Sequence, residues 1–161
     1  MHQINFKQIK LLILDVDGVL TDGGITVNAQ GEEIISFHVH DGFGIKQLQK
    51  IGISIAIISG RNPPAVLHRL KHLGVKHIFL GQLDKIAAYE SLLKALTVTP
   101  QEVAFMGDDL PDVPLMQKVG LAISVPNATD TAKNTAQFCT QKSGGKGAVR
   151  EVCDLIAAAH A

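Results

Sequence analysis

Short apolar runs alternate along the chain with segments whose apolar residues recur every three or four positions. The runs are long enough for buried strands, whereas the spaced segments are typical of amphipathic helices. The predicted strands are residues 11–14, 53–58, 75–80, 103–106 and 121–125. The predicted helices are residues 41–51, 63–73, 83–96, 110–118 and 148–159, with a helical turn near 130–134. This alternation predicts a parallel α/β sheet covered by helices on both faces.

Two β-rich pieces after the first strand interrupt this alternation. Residues 25–27 and 34–39 flank residues 28–31, whose composition is typical of a hairpin loop. Along the second piece His38 and His40 alternate, so we expect both to face the same side of a strand. A hairpin over about residues 24–39 has little to pack against in its own chain. We therefore expect it to project and to contact a neighbouring subunit.

Composition and charge narrow the class of protein. The chain has 161 residues, 46% of them hydrophobic and 19% charged, which is typical of one globular domain spanning 1–161. Fifteen basic residues balance fifteen acidic ones, so bulk charge gives no indication of a nucleic-acid or membrane partner. The polar start of the chain does not resemble a signal peptide. Cys139 and Cys153 lack metal-ligand spacing, and we expect two free thiols in a cytoplasmic protein.

Polar residues follow the predicted strands where those strands end. Because the carboxyl ends of parallel strands share one edge of a sheet, these side chains should converge there. They are Asp15, Asp17, Ser59, Asp108, Asp109 and Asp112, together with Lys85 at the start of a helix. Two like charges about 4 Å apart repel by roughly 1 kcal/mol in water and about 4 kcal/mol at an effective dielectric of 20. The carboxylates therefore need a cation, and Mg²⁺ suits their oxygens together with a substrate phosphate.

The ordered motifs DVDGV, strand-final Ser59, helix-initial Lys85 and GDDLPD resemble those of the haloacid dehalogenase-like phosphohydrolase superfamily. The resemblance implies a Rossmann-like, doubly wound sheet and an aspartyl-phosphate mechanism. It implies that Mg²⁺ is bound by Asp15, by the backbone carbonyl of Asp17 and by Asp108, with Asp109 and Asp112 orienting the neighbouring groups. In the same scheme Asp15 is the nucleophile and Asp17 the general acid and base, while Ser59 and Lys85 bind the phosphoryl group.

The segments that could hold an inserted cap domain are short. Asp41 lies only 18 positions after Gly23, and Lys85 lies only 24 positions after Arg61. These gaps predict a capless enzyme whose site is open or covered by another subunit, with the hairpin after Asp22 as the available lid.

A capless chain with the terminal motif GGKGAVRE resembles the 3-deoxy-D-manno-octulosonate 8-phosphate phosphatases. The resemblance implies a homotetramer acting in lipopolysaccharide synthesis on a small phosphorylated sugar acid. The implied substrate contacts are Asp17, His38, Val39, His40, Asp41, Gly42, Lys46, Arg61, Arg69 and Lys85. His40 and Lys46 stand where that family usually has arginine.

Two other functions stay open at this stage. The chain could be a phosphatase for a different small metabolite, such as a nucleotide or phosphoglycolate. It could also be a non-catalytic oligomerising module, like the phosphatase-like domain attached to some sialic-acid cytidylyltransferases. The basic set Lys46, Arg61 and Arg69 favours a substrate with two anionic ends, and the complete set of carboxylates favours catalysis.

Overall fold

Six parallel strands form the centre of the molecule in the computed structural model, which describes residues 4–161. The sheet order is β5-β4-β1-β6-β7-β8, and a separate two-stranded sheet contains β2 and β3. The strands are β1 (Leu11–Leu14), β2 (Thr26–Val27), β3 (Glu33–Ile34), β4 (Ser54–Ile58), β5 (His77–Phe79), β6 (Val103–Met106), β7 (Leu121–Ser124) and β8 (Phe138–Cys139). The predicted parallel α/β sheet is therefore confirmed.

Helices cover both faces of this sheet. They are α1 (Val39–Lys50), α2 (Pro64–His72), α3 (Lys85–Leu96), α4 (Val113–Met116), α5 (Asp130–Thr135) and α6 (Ala148–His160). Helix α1 packs against α6, while α3 packs against α4 and α4 against α5. Both α1 and α3 also contact β4, which lies between the two helical layers. The fold is thus the doubly wound, Rossmann-like arrangement that the sequence predicts.

Strand β1 lies at the centre of the sheet and is fully buried from Leu11 to Leu14. It pairs with β4 on one side and with β6 on the other. The chain winds outward from β1 through β4 to β5, then returns across the sheet to β6. The order of strands therefore reverses between β1 and β6, and ligands of such sheets bind at the carboxyl ends of the strands beside that reversal.

The second strand predicted for the hairpin is too long, and the prediction that His38 and His40 alternate along it is wrong. The strand predicted over residues 34–39 is wrong beyond Ile34, because β3 ends at Ile34 and α1 already begins at Val39. His38 is the N-cap of α1, and its Nδ1 atom accepts a hydrogen bond from the backbone N–H of His40. The two imidazoles lie close together, with centroids 4.8 Å apart, because of this cap and not because of strand alternation.

Strand β8 is absent from the predictions. It contains only two residues, which is too short for a periodic pattern, and it pairs with β7 at the edge of the sheet. Cys139 of this strand and Cys153 of α6 carry free thiols. Within residues 4–161, none of the helices is both long enough and apolar enough to pass through a lipid bilayer.

Candidate active site

Asp15 follows β1 directly and lies at the centre of the site. Its backbone N–H donates to the carbonyl of Met106 on β6 at 3.1 Å. The loop that follows β1 is therefore held against the neighbouring strand at its first residue. The residue is 7% exposed, and its Oδ1 atom accepts the backbone N–H of Val16 at 2.8 Å. Burial and the neighbouring Asp112 carboxylate raise the pKa of Asp15 well above its usual range. A buried carboxylate in this position needs a cation beside it.

Lys85 supplies part of that positive charge. Its Nζ lies 3.0 Å from Asp15 Oδ1 and 2.6 Å from Asp112 Oδ1, and only 4% of the residue is exposed. Burial by itself would lower the pKa of Lys85, but Asp15 and Asp112 outweigh burial and the pKa is raised. Lys85 is therefore held as a fixed ammonium group at the first residue of α3, where the Asp84 carboxylate caps the helix.

Asp112 connects Lys85 to the loop that follows β6. One of its oxygens binds Lys85, and the other accepts the backbone N–H groups of Asp108 at 2.9 Å and Asp109 at 3.2 Å. Because both of its oxygens have partners already, Asp112 is suited to orient this loop and Lys85. That role, like the roles expected for the other site residues, stays a prediction.

Asp108 faces Asp15 across the gap between β1 and β6. Burial, Asp112 and Asp109 raise the pKa of Asp108 to about 7. Oxygen atoms of Asp15, Asp108 and Asp112 lie within 4.8 Å of one another. Hard carboxylate oxygens at this spacing fit Mg²⁺, and the raised pKa values show that the cluster accommodates two negative charges poorly without a cation. Asp15 and Asp108 have the free oxygens for coordination.

Arg61 also lines the site, and its side chain connects the site to the hairpin. Its Nε and Nη2 atoms donate to the two oxygens of Asp17, each at 2.9 Å. Its Nη1 atom donates to Glu33 of β3 at 2.8 and 2.9 Å. Hydrogen bonds to Asp17 and Glu33 raise the pKa of Arg61 above its already high ordinary value. These two ion pairs hold the Asp17 side chain in place and attach β3 to the rim of the site.

A cavity of about 400 Å³ brings most of the predicted catalytic residues together. Its lining includes Asp15, Asp17, Ser59, Arg61, Lys85 and Asp108, and Asp109 and Asp112 also contribute. Ser59 is 2% exposed, and it lies where β4 ends beside β1. A cavity of this size suits a small molecule. Arg61 and Lys85, together with a cation held by the carboxylates, would suit an anionic one.

The other predicted substrate contacts do not line this cavity within one chain. Val39, His40 and Lys46 are exposed on α1. Asp41 is buried and accepts the backbone N–H of Arg150 on α6, while Arg69 packs against Gly42. Of the predicted substrate contacts, Asp17, Arg61 and Lys85 line the cavity. The others do not line it, and they are His38, Val39, His40, Asp41, Gly42, Lys46 and Arg69.

Glu33 is a site residue that the sequence did not reveal. It lies in the hairpin, far from any strand end of the main sheet, and only the folded chain shows its contact with Arg61. The signal that identified the other carboxylates was their position after a strand, and Glu33 lacks it.

The fold and this cluster define a hydrolase of the haloacid dehalogenase-like class. Residues 77–152, which include Lys85, Asp108 and Asp112, match the family described as haloacid dehalogenase-like hydrolase. The match covers β5 to β8 and α3 to α5, and it ends within α6.

Similar proteins identify the family more closely. The 3-deoxy-D-manno-octulosonate 8-phosphate phosphatase of Escherichia coli strain K12 is 47% identical over 150 residues, which are 93% of this chain and 80% of the relative. The chain belongs to the family of these phosphatases.

Solved structures of relatives agree with this assignment. The phosphatase of this name from Moraxella catarrhalis, in complex with magnesium ion, phosphate ion and KDO, has a TM-score of 0.93 at 45% identity, over 96% of this chain and 89% of the other. The cobalt-bound phosphatase from Haemophilus influenzae has a TM-score of 0.93 at 43% identity, over 98% of this chain and 92% of the other.

Proposed function

We propose that this protein is a Mg²⁺-dependent phosphatase that hydrolyses 3-deoxy-D-manno-octulosonate 8-phosphate to the free sugar acid and phosphate, in lipopolysaccharide biosynthesis. The observation that carries the proposal is the buried Asp15–Lys85–Asp112 cluster facing Asp108 at the reversal point of the sheet. The substrate assignment is supported by the names of relatives that match nearly the whole chain, and by the ligands in the Moraxella complex.

The chemistry follows from the charges in the cavity. Bound Mg²⁺, held by Asp15, Asp108 and the Asp17 carbonyl, would neutralise the phosphate and polarise the phosphorus–oxygen bonds. Asp15 attacks phosphorus, and the bond to the sugar oxygen breaks to give an aspartyl-phosphate and an alkoxide. Lys85 offsets the charge that develops on the phosphoryl oxygens, and Ser59 donates a hydrogen bond to one of them.

Asp17 is the proposed general acid and general base of the reaction. A substrate anion that binds the N–H groups of Arg61 competes with Asp17 for them, so Asp17 can take up a proton and give it to the leaving alkoxide. Asp17 then removes a proton from the water that attacks the aspartyl-phosphate, which restores Asp15 and releases phosphate. A dehalogenase, which expels halide, needs no acid at this position.

The proposal extends to the oligomeric state of the protein and to its location in the cell. We infer a homotetramer of single-domain chains in which the second group of predicted contacts, from His38 to Arg69, reaches the site of a neighbouring chain. Apolar side chains of the hairpin support this, since Ile25, Val27 and Ile34 are all more than half exposed. A cytoplasmic location is supported by the two free thiols.

The decisive experiment measures phosphate release from a panel of phosphorylated metabolites with Mg²⁺ and with a chelator. The panel contains 3-deoxy-D-manno-octulosonate 8-phosphate, sugar phosphates, nucleotides and phosphoglycolate. We expect the highest kcat/KM with the octulosonate, loss of activity in chelator, and loss in Asp15→Asn. The matched control Asp130→Asn changes an exposed carboxylate on α5 and should retain activity.

Other results would point to the other functions. Broad and weak activity would keep the chemistry but reject the substrate, and would direct attention to His40 and Lys46. If no compound in the panel released phosphate, the non-catalytic module would be the better explanation.

A further inference from the structure

The loop that follows β7 contacts both loops that carry the proposed metal ligands. Asn127 Nδ2 donates to the backbone carbonyl of Gly18, in the loop after β1, at 2.9 Å. Two residues further on, the N–H of Thr129 donates to the carbonyl of Asp108, in the loop after β6, at 2.9 Å. Residues 127–129 therefore join the two loops at their backbones, behind the carboxylates.

Asn127 also binds the loop before α6. Its Oδ1 accepts the backbone N–H of Gly144 at 2.8 Å, so the amide group uses its donor and its acceptor on two separate loops. The next residue, Gly145, donates its N–H to Val19 at 3.1 Å. Gly144 and Gly145 thus lie against the turn that follows Asp17, and Asn127 holds the two segments together.

Glycine is required at both positions where the loop after β1 meets the loop before α6, Gly18 and Gly144. A Cβ atom on Gly18 would overlap the Asp108 carboxylate, and a Cβ atom on Gly144 would overlap the Gly18 carbonyl. Gly18 also has a φ of +82°, which other residues rarely adopt. The Gly18 peptide is therefore enclosed between Asp108 on one side and Gly144 on the other, with no room to move without displacing one of them.

We propose that Asn127 is a positioning residue for the metal site. It fixes the Gly18 peptide beside Asp108 and, through it, the adjacent Asp17 carbonyl, so that these groups would be in place to hold Mg²⁺. An exposed asparagine would ordinarily bond to water, but this one binds two buried backbone segments that are 109 and 17 residues away in the chain. The inference rests on the proposed function, since it concerns the same Mg²⁺ site.

The test compares Mg²⁺ affinity in Asn127→Ala and in the wild type. Affinity is measured by isothermal titration with MgCl₂ and, separately, as the Mg²⁺ concentration that gives half-maximal phosphate release. Loss of groups that orient metal ligands typically weakens binding by 10- to 100-fold, and we expect about a tenfold loss here. At saturating Mg²⁺ kcat should recover substantially, because Asn127 is not among the residues that line the cavity.

Controls separate positioning from folding. Asn134→Ala makes the same change at an exposed site on α5 and should keep wild-type affinity. Asn127→Leu matches the length of the side chain but neither donates nor accepts, so it should behave like Asn127→Ala. Urea unfolding in chelator checks that each variant is folded.

The outcomes are distinct. Wild-type Mg²⁺ affinity in folded Asn127→Ala or Asn127→Leu would overturn the positioning role while leaving the phosphatase intact. If the wild-type protein itself bound no Mg²⁺ and released no phosphate, the proposed function would fail instead. If one of the two apolar variants did not fold, the other would decide.

Discussion

At the scale of single residues, Lys85 makes the arrangement of buried carboxylates possible. Its ammonium group lies between Asp15 and Asp112, and all three residues are less than a tenth exposed. Truncating one partner of such a cluster leaves uncompensated charge in a poorly solvated place, which costs more than the intact cluster contributes. We therefore predict that Lys85 matters for stability and, in the proposed mechanism, for catalysis.

Lys85→Met should lower both activity and stability. We expect kcat/KM to fall by about 100-fold or more, as when a group that stabilises transition-state charge is removed. The free energy of unfolding should fall by about 3–5 kcal/mol, because Asp15 and Asp112 lose their buried partner. Phosphate release and urea unfolding measure the two effects. Lys94→Met, an exposed change on the same helix, should affect neither, and equal losses in both variants would contradict the prediction.

Asp108 is unfavourable as a charged group in the metal-free protein. Its pKa of about 7 lies far above the ordinary value of 3.8, with burial as the main cause. In chelator, the folded protein keeps this proton where the unfolded chain has lost it. The contribution of protonated Asp108 to the free energy of unfolding is therefore fully present below the pKa that Asp108 has in the unfolded chain. This contribution is lost as the pH rises through about 7, the pKa of Asp108 in the folded protein.

Asp108→Asn should remove this pH dependence because the amide does not ionise. In chelator the variant should unfold with a higher free energy than the wild type at pH 8, and the difference should shrink as the pH falls toward 4. Urea titrations across this range measure the difference. Asp130→Asn should track the wild type at every pH. A wild-type protein that stayed the more stable one at pH 8 would show that Asp108 is favourably ionised without metal.

At the scale of elements, α1 and α6 depend on each other. The N-terminus of α6 has Gly147 as its N-cap and no capping side chain of its own. Asp41 of α1 supplies an acceptor instead, taking the Arg150 N–H at 2.9 Å. Burial raises the pKa of Asp41, so this cap involves a desolvated carboxyl group. The two helices also approach closely at Gly44, where a Cβ atom would lie 2.9 Å from Cys153 Cβ.

Gly44→Val should destabilise the fold through this helix contact. The added methyl groups would have to displace the backbone of α6 or Cys153, and overpacking of this kind typically costs about 1–3 kcal/mol. The loss is measured as the free energy of unfolding in urea. Lys50→Val places the same side chain on an exposed position of α1 and should cost much less. Equal stability of both variants would show that the two helices can move apart freely.

At the scale of the whole molecule, the exposed apolar side chains concentrate on the hairpin and the start of α1. Ile34 is 59% exposed, Val39 72% and Phe43 60%. Exposed apolar side chains grouped in one part of the chain typically mark a site of association. It also lies beside the predicted substrate contacts that do not line the chain's own cavity.

The hairpin should therefore mediate assembly of the proposed tetramer. We expect light scattering to give a mass about four times the 17.2 kDa of the chain. The double variant Val27→Lys and Ile34→Lys should shift that mass downward and raise KM, if neighbouring chains supply substrate contacts. Ile51→Lys changes an exposed apolar residue at the other end of α1 and should leave the mass unchanged. A monomeric wild-type protein with full activity would exclude this role.

Much of the fold could be predicted because the signals are local. Continuous apolar runs such as residues 11–14 indicate strands buried on both faces, and polar residues directly after them lie at the ligand-binding edge by the geometry of parallel sheets. The start of α1 was misplaced because a histidine N-cap is not a common helix-start signal. Strand β8 was missed because two residues carry no period.

By itself, the sequence determined the class of fold, the edge of the sheet where the carboxylates meet and the need for a cation there. These follow from short-range rules of periodicity and charge. Only the tertiary structure decided that Arg61 pairs with Asp17 and Glu33, that Asp112 uses both oxygens on its neighbours, and that Asn127 joins three loops. Such contacts connect residues far apart in the chain, and their partners depend on how strands and helices pack.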